Sequence, residues 1–365
     1  MITVKKPNAF VLVSTNHGMM IVNKHDYRDY KQNGKNVRNG VGYQLLETSS
    51  YEQEEVDFAI GLLAARRRHH GDEVVAVDCG ANIGILSIEW ARFMTGWGRV
   101  ISFEAQAKLF YAFAGNIVLN NCLNIDAYHA AIGNKTGVMA IPEPNYLVPS
   151  SYGALDLEER PNNMDIGQKI DYTKTIDVDL KTIDSLALER VDFIKIDVQG
   201  GELSVLKGAA RTLSSTLGVE AEVEFIPMYD EQPLFGEISE FLTKYDFEFI
   251  DFTTIGRWER QSFNGSGQAV YGDALFLKSP ETVLRNHRTI EQLSNYLKIL
   301  LVYYRFDLID FVIYKLSDEE RNTFYSFCEN IIPIRIRFNM ACRCSLWSSR
   351  IMRLFGLNYR SQLIY

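Results

Sequence analysis

The sequence predicts an α/β protein: an open, mostly parallel sheet flanked by helices, with a β-hairpin region before it and a helical extension after it. Three observations predict this. Between residues 74 and 225 short apolar runs alternate with helical stretches, as they do in βα units. Three of those runs end in an acid, at Asp78, Glu104 and Asp197. The last two strand-like segments, 247–252 and 268–278, are joined by a loop with no room for a crossover helix, so they should be antiparallel neighbours.

In chain order, AFVLVST (9–15) and GMMIVN (18–23) flank Asn16-His17-Gly18 and read as a hairpin. Gly34, Gly40 and Gly42 then mark loop. From Tyr51, Val56, Phe58, Ile60, Leu62 and Leu63 follow a helical pattern up to Arg66-Arg67-Arg68, a solvated helix end favoured by the dipole. VVAVD (74–78) predicts a buried strand leading to a helix over 83–94. RVISFE (99–104) predicts a second strand, with a helix over 106–120, and NIDAYHA (124–130) a third. An irregular insertion with prolines from Pro142 to Pro161 follows, where a substrate loop can sit. The alternation resumes with VDFIKID (191–197), a helix over 201–213, VEAEVEF (219–225) and a helix over 234–244. From Pro280 helical periodicity takes over, at 293–304 and at 317–332, where Ser317 and Glu320 make a capping box. The expected units are a hairpin region at 1–53, an α/β domain at 54–279 and a helical domain at 280–365.

Of 365 residues, 47% are hydrophobic and 23% charged, the balance of a folded globular chain. A net charge of -8 argues against a surface that wraps nucleic acid. Cys79, Cys122, Cys328, Cys342 and Cys344 are scattered without zinc-site spacing, which points to a reduced compartment. No basic segment with an apolar run opens the chain, so a cytoplasmic protein is expected. After Glu329 there is no acid. Arg335, Arg337, Arg343, Arg350, Arg353 and Arg360 interleave with apolar residues such as Trp347 and Phe355. Such a tail packs on the acidic body or makes peripheral contact with an anionic membrane.

The chemistry sits at the strand ends. Asp78 is followed by Gly80 and Gly84, which let backbone approach a ligand closely. A dinucleotide fingerprint is not met, because its three glycine positions hold Gly80, Asn82 and Ile85. Asn82 offers an amide to an amino-acid moiety instead. Glu104 is placed to accept both hydroxyls of a ribose. Either acid alone also serves as a helix cap or dipole partner; together, at adjacent strand ends, they point to a nucleoside. Asp197 leaves the middle strand beside Gly200, Gly201 and Glu202, and can orient a hydroxyl and take its proton. It reads also as a helix cap or a cofactor contact. Lys195 is expected to be paired and structural. Glu220, Glu222 and Glu224 alternate along one strand face, and Glu224, nearest the strand end, is expected to face a cleft or a basic partner.

Taken in order, DCGANIG (78–84), FEAQ (103–106), AGNIVLNN (114–121), AAIGN (130–134), IKIDVQGGEL (194–203) and VEFIPMYDEQPLF (223–235) resemble the FkbM family of class I methyltransferases over residues 54–278. The resemblance implies a Rossmann-like, seven-stranded sheet with an antiparallel last strand and S-adenosylmethionine as cofactor. It implies a cofactor set of Asp78, Gly80, Ala81, Asn82, Gly84, Glu104, Ala105, Ala130, Ala131 and Asp197. It places Asp197 near the methyl group, and the residues themselves complete a catalytic set of Asp197, Glu202 and Glu224, with no metal assigned; convergence of those three acids on a divalent ion stays open. The implied acceptor is a small molecule or glycan, first a sugar hydroxyl in bacterial surface-polysaccharide assembly. A polyketide or peptide hydroxyl, or a cofactor-binding module without turnover, are the alternatives. One position departs from the family pattern: Gln199 stands where its motif carries Glu.

Overall fold

The computed structural model describes residues 8–32, 35–70, 72–157, 167–228, 232–258, 267–286 and 306–322, with Leu293 and Tyr296. Two hairpins open the chain, β1 (Phe10–Thr15) with β2 (Gly18–Asn23) and β3 (Arg28–Gln32) with β4 (Lys35–Asn39). Helices α1 (Val41–Thr48) and α2 (Gln53–His70) follow. The second hairpin and α1 occupy the stretch that glycines marked as loop. Gly42 lies inside α1 for a packing reason: a Cβ there would stand 2.0 Å from the Asn23 carbonyl oxygen. Its glycine permits a close approach of two segments, a use that sequence spacing does not separate from a turn.

The α/β unit runs β5 (Val74–Cys79), α3 (Ile85–Phe93), β6 (Gly98–Glu104), α4 (Ala107–Leu119), β7 (Ile125–Ile132), β8 (Gly137–Pro142), β9 (Thr175–Lys181) and β10 (Phe193–Ile196). It continues with α5 (Glu202–Lys207), α6 (Ala210–Leu213), β11 (Gly218–Glu224), α7 (Phe235–Thr243), β12 (Phe247–Trp258) and β13 (Gln268–Lys278). The sheet order is β12-β13-β11-β10-β5-β6-β7-β9-β8. β13 is antiparallel to both β11 and β12, as the crossover-free loop predicted. The sheet has nine strands where seven were expected. The two additional strands flank the proline-bearing insertion, β8 leading into it and β9 following it: β9 adds to β7 in parallel and β8 closes the edge. β8 ends at Pro142, which is tolerated on an edge strand because no ladder donor is required there.

β5 shows why the strands read as unbroken apolar runs. Val74 and Ala76 join the core on one face with Leu63, Trp90 and Phe113, whereas Val75, Val77 and Cys79 join the other with Val205, Leu206 and Leu242. A parallel strand covered on both faces has no polar side. The single helix expected over 201–213 is broken into α5 and α6 at Gly208, where a Cβ would lie 1.9 Å from the Gly133 carbonyl oxygen. The sheet's neighbouring loop passes there, and the chain yields a helical turn to it.

The first hairpin packs onto the α/β unit. Asn116 on α4 and Asn120 at its C-cap, four residues apart, act as a surrogate strand for β2: Ile21 N–H donates to Asn116 Oδ1 (2.5 Å) and Met19 N–H to Asn120 Oδ1 (3.0 Å). His17, in the hairpin turn, is buried and accepts from the Tyr51 N–H at 2.9 Å through Nε2. After β13 come α8 (Pro280–Asn286) and a helix at Phe306–Lys315. Leu293, Tyr296, Val312, Ile313 and Leu316 join the hairpin-side core. The Ser317–Glu320 capping box is formed, with Ser317 N–H donating to Glu320 and Glu320 N–H to Ser317 Oγ. Most of 293–304, residues 323–332 and the cationic tail lie outside the described residues. Among the described residues no helix is long and apolar enough to cross a membrane.

Candidate active site

The carboxyl ends of β5, β6 and β10 open into one cavity of about 1780 Å³. Its floor is the turn after β5, where Gly80 (φ 95°), Asn82 (φ 52°) and Gly84 (φ 88°) are all left-handed. Gly80 has no alternative, because a Cβ would stand 1.8 Å from the Asp197 carbonyl oxygen. Gly80 and Ala81 donate to the Phe103 carbonyl (3.1 and 2.8 Å), and the turn is thereby wedged between β6 and β10.

Asp78 lines this cavity with only 2% of its surface exposed, and Ser87 donates its hydroxyl to Asp78 Oδ2. Ser87 Oγ also lies 2.8 Å from Ser102 Oγ, so Asp78 braces α3 against β6. Glu104 accepts from Asn82 N–H through Oε2 (2.9 Å) and from Gln106 N–H through Oε1 (2.7 Å). Each oxygen keeps a second lone-pair direction for a ligand hydroxyl. Burial pushes the Glu104 carboxyl up to about 7 against the pull of those N–H groups. Ala105, Ala130 and Ala131 form a small-residue wall beside it.

The second half of the cavity lies where β10 meets β11. Asp197 and Glu222 both line it, and Gln199 stands between them, its Nε2 donating to Asp197 Oδ1 (2.6 Å) and Glu222 Oε2 (2.8 Å). Burial and the neighbouring carboxylates, Asp197 foremost, push Glu222 well above the carboxylate range. Lys195 is paired as expected, donating to Asp273 Oδ1 at 2.7 Å.

Two residues of the expected catalytic set stand elsewhere. Glu202 is 1% exposed and its Oε1 accepts the Val198 and Gly200 N–H groups (3.1 Å each), which closes the turn after β10; it is not among the cavity-lining residues. Glu224 is equally buried and also outside the lining; burial, then Glu202, push its carboxyl up to about 9. Residue 222, on the same strand face, reaches the cavity in its place. Counting in twos selected the face correctly but not the residue on it, because the depth at which the strand meets the cavity depends on the neighbouring strands. Among the described residues no three or more His, Cys, Asp or Glu side chains converge as a metal would need, so Asp197, Glu202 and Glu224 form no such group.

The roof was the part least visible in sequence. Gln106 is buried and joins the insertion at two points, donating to the Tyr152 carbonyl (2.9 Å) and accepting from Tyr146 Oη (2.9 Å). The insertion is tied in turn to the N-terminal region. Tyr152 N–H donates to Asp26 Oδ1 (3.2 Å), Ser150 N–H to the His25 carbonyl (3.0 Å), and Asn23 Nδ2 to the Tyr146 carbonyl (3.0 Å). Residues 23–32, 35–42 and 144–157 are thus tied into one bonded layer over the floor. Asp26 is its buried centre, with burial pushing its carboxyl up to about 7.

The strand order, the glycine turn and the acid ending the second strand together define an α/β methyltransferase domain. Residues 78–249 match the family model described as Methyltransferase FkbM domain. "Methyltransferase 1" of Beauveria bassiana (strain ARSEF 2860) is 26% identical over 147 residues, 38% of this chain and 59% of that protein. "Methyltransferase sdnD" of Sordaria araneosa is 27% identical over 153 residues, 36% of this chain and 59% of that protein. The matched region therefore spans about three fifths of these curated relatives. Among solved structures, Methyltransferase FkbM from Methylobacillus flagellatus KT aligns at 16% identity and a TM-score of 0.35, covering 64% of this chain and 57% of that one.

S-adenosylmethionine is the cofactor of this class of domain, and the floor fits it. Asn82 Oδ1 is a buried acceptor with no hydrogen-bond partner among the described residues, and such an acceptor would suit the ammonium of a methionine moiety. The left-handed glycines leave bare backbone beneath it, and the lone-pair directions Glu104 keeps would suit the hydroxyls of a ribose.

Proposed function

We propose that this chain transfers the methyl group of S-adenosylmethionine to a hydroxyl oxygen of a sugar or glycan, in surface-polysaccharide assembly. The observation that carries this reading is the position of Asp197. It leaves the strand next to the one that carries the cofactor turn, shares one cavity with Glu104 and Asn82, and among the described residues has one carboxylate oxygen engaged, by Gln199.

The bound cofactor supplies a methyl group on a sulfonium, which any well-placed oxygen can accept. An alcohol is a weak nucleophile at neutral pH, and a carboxylate that takes its proton as the new bond forms contributes ~10²- to 10⁴-fold. Asp197 is the residue placed to do so, and the roof over the cavity holds the acceptor near it and keeps water out. The cavity lining includes Trp258 and Tyr271, which offer flat apolar faces, and Gln44, Asn39 and Arg257, a mixture suited to a ring with an apolar face and a hydroxylated rim.

The test is direct. The purified chain is expected to bind S-adenosylmethionine and S-adenosylhomocysteine in calorimetry, and to transfer tritiated methyl to a glycan or glycolipid extract. Asp197→Asn should lower turnover by ~10²-fold or more while leaving cofactor affinity within a few fold. Tight cofactor binding with no methylated product from glycan, polyketide or peptide extracts would instead identify a binding module.

A further inference from the structure

The pair of carboxylates on either side of Gln199 carries information about the acceptor. An amide nitrogen has two hydrogens, and Gln199 Nε2 gives one to Asp197 Oδ1 and one to Glu222 Oε2. Each acid is anchored by one oxygen, and among the described residues no other hydrogen bond reaches either side chain. The second oxygens, Asp197 Oδ2 and Glu222 Oε1, belong to residues that line the cavity and are not sealed from solvent. A glutamate at position 199 would set a third carboxyl group between these two. An amide holds both acids at one spacing without adding charge, which gives the Gln199 departure a physical meaning.

Resting on the reading that this cavity methylates a hydroxyl, we propose that the acceptor presents two neighbouring oxygens, the attacking hydroxyl to Asp197 Oδ2 and an adjacent oxygen to Glu222 Oε1, with Gln199 setting the distance between them. Asp197 takes the proton of the attacking hydroxyl as the O–CH₃ bond forms. The S–CH₃ bond breaks with its electron pair passing to sulfur, so the products are the methyl ether, S-adenosylhomocysteine and a protonated Asp197. Glu222, kept neutral by burial and by the charge of Asp197, donates its proton in a hydrogen bond to the second acceptor oxygen. Glu222 is therefore an acceptor-binding residue that selects vicinal diols over isolated alcohols, and Gln199 is a positioning residue. A site built to hydrogen-bond a substrate oxygen rejects the analogue that lacks it.

The probes are cis-1,2-cyclohexanediol and methyl α-D-mannopyranoside, each with vicinal hydroxyls, against cyclohexanol, with tritiated S-adenosylmethionine as donor. Wild type is expected to methylate at least one of the diols ten-fold or more faster than cyclohexanol. Glu222→Ala should abolish that preference by raising KM for the diol, and Glu222→Gln, which still donates, should restore part of it. Gln199→Glu should displace the acidic limb of the kcat/KM pH profile, which a purely structural role would leave in place. Equal rates on diol and mono-alcohol, an undiminished preference in Glu222→Ala, or cofactor binding without methylation of any probe overturns the proposal. Failure of the wild type to bind S-adenosylmethionine in calorimetry overturns the methyl-transfer reading itself. Methylation of the cyclohexanediol but not the mannoside keeps the two-oxygen rule and removes the sugar.

Discussion

Asn82 donates its backbone N–H to the carboxylate of Glu104 at 2.9 Å, so the acid that ends one strand holds the glycine turn of the next in its left-handed shape. Floor geometry and, on the proposed reading, ribose recognition are thus vested in one side chain. Accepting ribose hydroxyls favours the ionised form of Glu104, whose carboxyl burial holds at about 7. Affinity for S-adenosylmethionine should therefore weaken as pH falls below 7, by up to about tenfold per pH unit. Titration calorimetry between pH 6 and pH 8 measures this. Glu104→Gln should bind at least ~10-fold more weakly and lose the pH dependence; a wild-type affinity that is flat across that range contradicts the assignment.

Gly80 and Gly96 make a matched pair of positive-φ glycines. Gly96 has open space around its missing Cβ, whereas at Gly80 the added atom would lie 1.8 Å from the Asp197 carbonyl. Gly96→Ala should cost about 1 kcal/mol in chemical denaturation, the backbone strain alone. Gly80→Ala should cost several times as much and abolish cofactor binding. Similar losses for the two substitutions would mean that the turn does not sit against β10.

Asp26 links roof stability to pH. Its carboxyl is near 3.8 in an unfolded chain and about 7 when buried, so the folded state holds a proton that the unfolded state has released. This contribution is complete below about pH 4 and is lost as pH rises through about 7, up to about 4 kcal/mol in all. Asp26→Asn should flatten the fall in melting temperature between pH 5 and pH 8. An unchanged slope would show that Asp26 does not titrate in that range.

Lys195 and Asp273 are a buried ion pair, with side chains 3% and 13% exposed. Lys195→Met leaves Asp273 without its cation and should destabilise the fold by about 3–5 kcal/mol, whereas Lys195→Met combined with Asp273→Leu should recover much of that loss. Denaturation midpoints of the two variants compare these values. A double variant no more stable than the single one would locate the cost elsewhere, in the Thr254 contact to Asp273.

Much of the floor was legible from residue order. Asp78, Glu104 and Asp197 each end a strand that alternation and apolar runs identify, and adjacent parallel strands necessarily deliver their ends to one edge. The roof was not legible, because nothing local couples Asp26 to Tyr152 or Gln106 to Tyr146, and a proline-bearing insertion carries no periodicity to read. The second hairpin and α1 were missed where glycines serve close packing rather than turns, as at Gly42.

By itself the sequence determined the parallel sheet, its reversed final strand, the cofactor turn and the acids that flank it. These follow from short-range rules: unbroken apolar runs alternating with helical stretches, glycines that accept positive φ and a loop too short for a crossover. Only the tertiary structure decided that Glu222, not Glu224, reaches the cavity, that Gln199 bridges it to Asp197, and that the N-terminal region and the insertion close over both. Those relationships depend on where separate elements come to rest against one another. A side chain's neighbours across a cavity are set by packing over more than a hundred residues of chain, which no local pattern encodes.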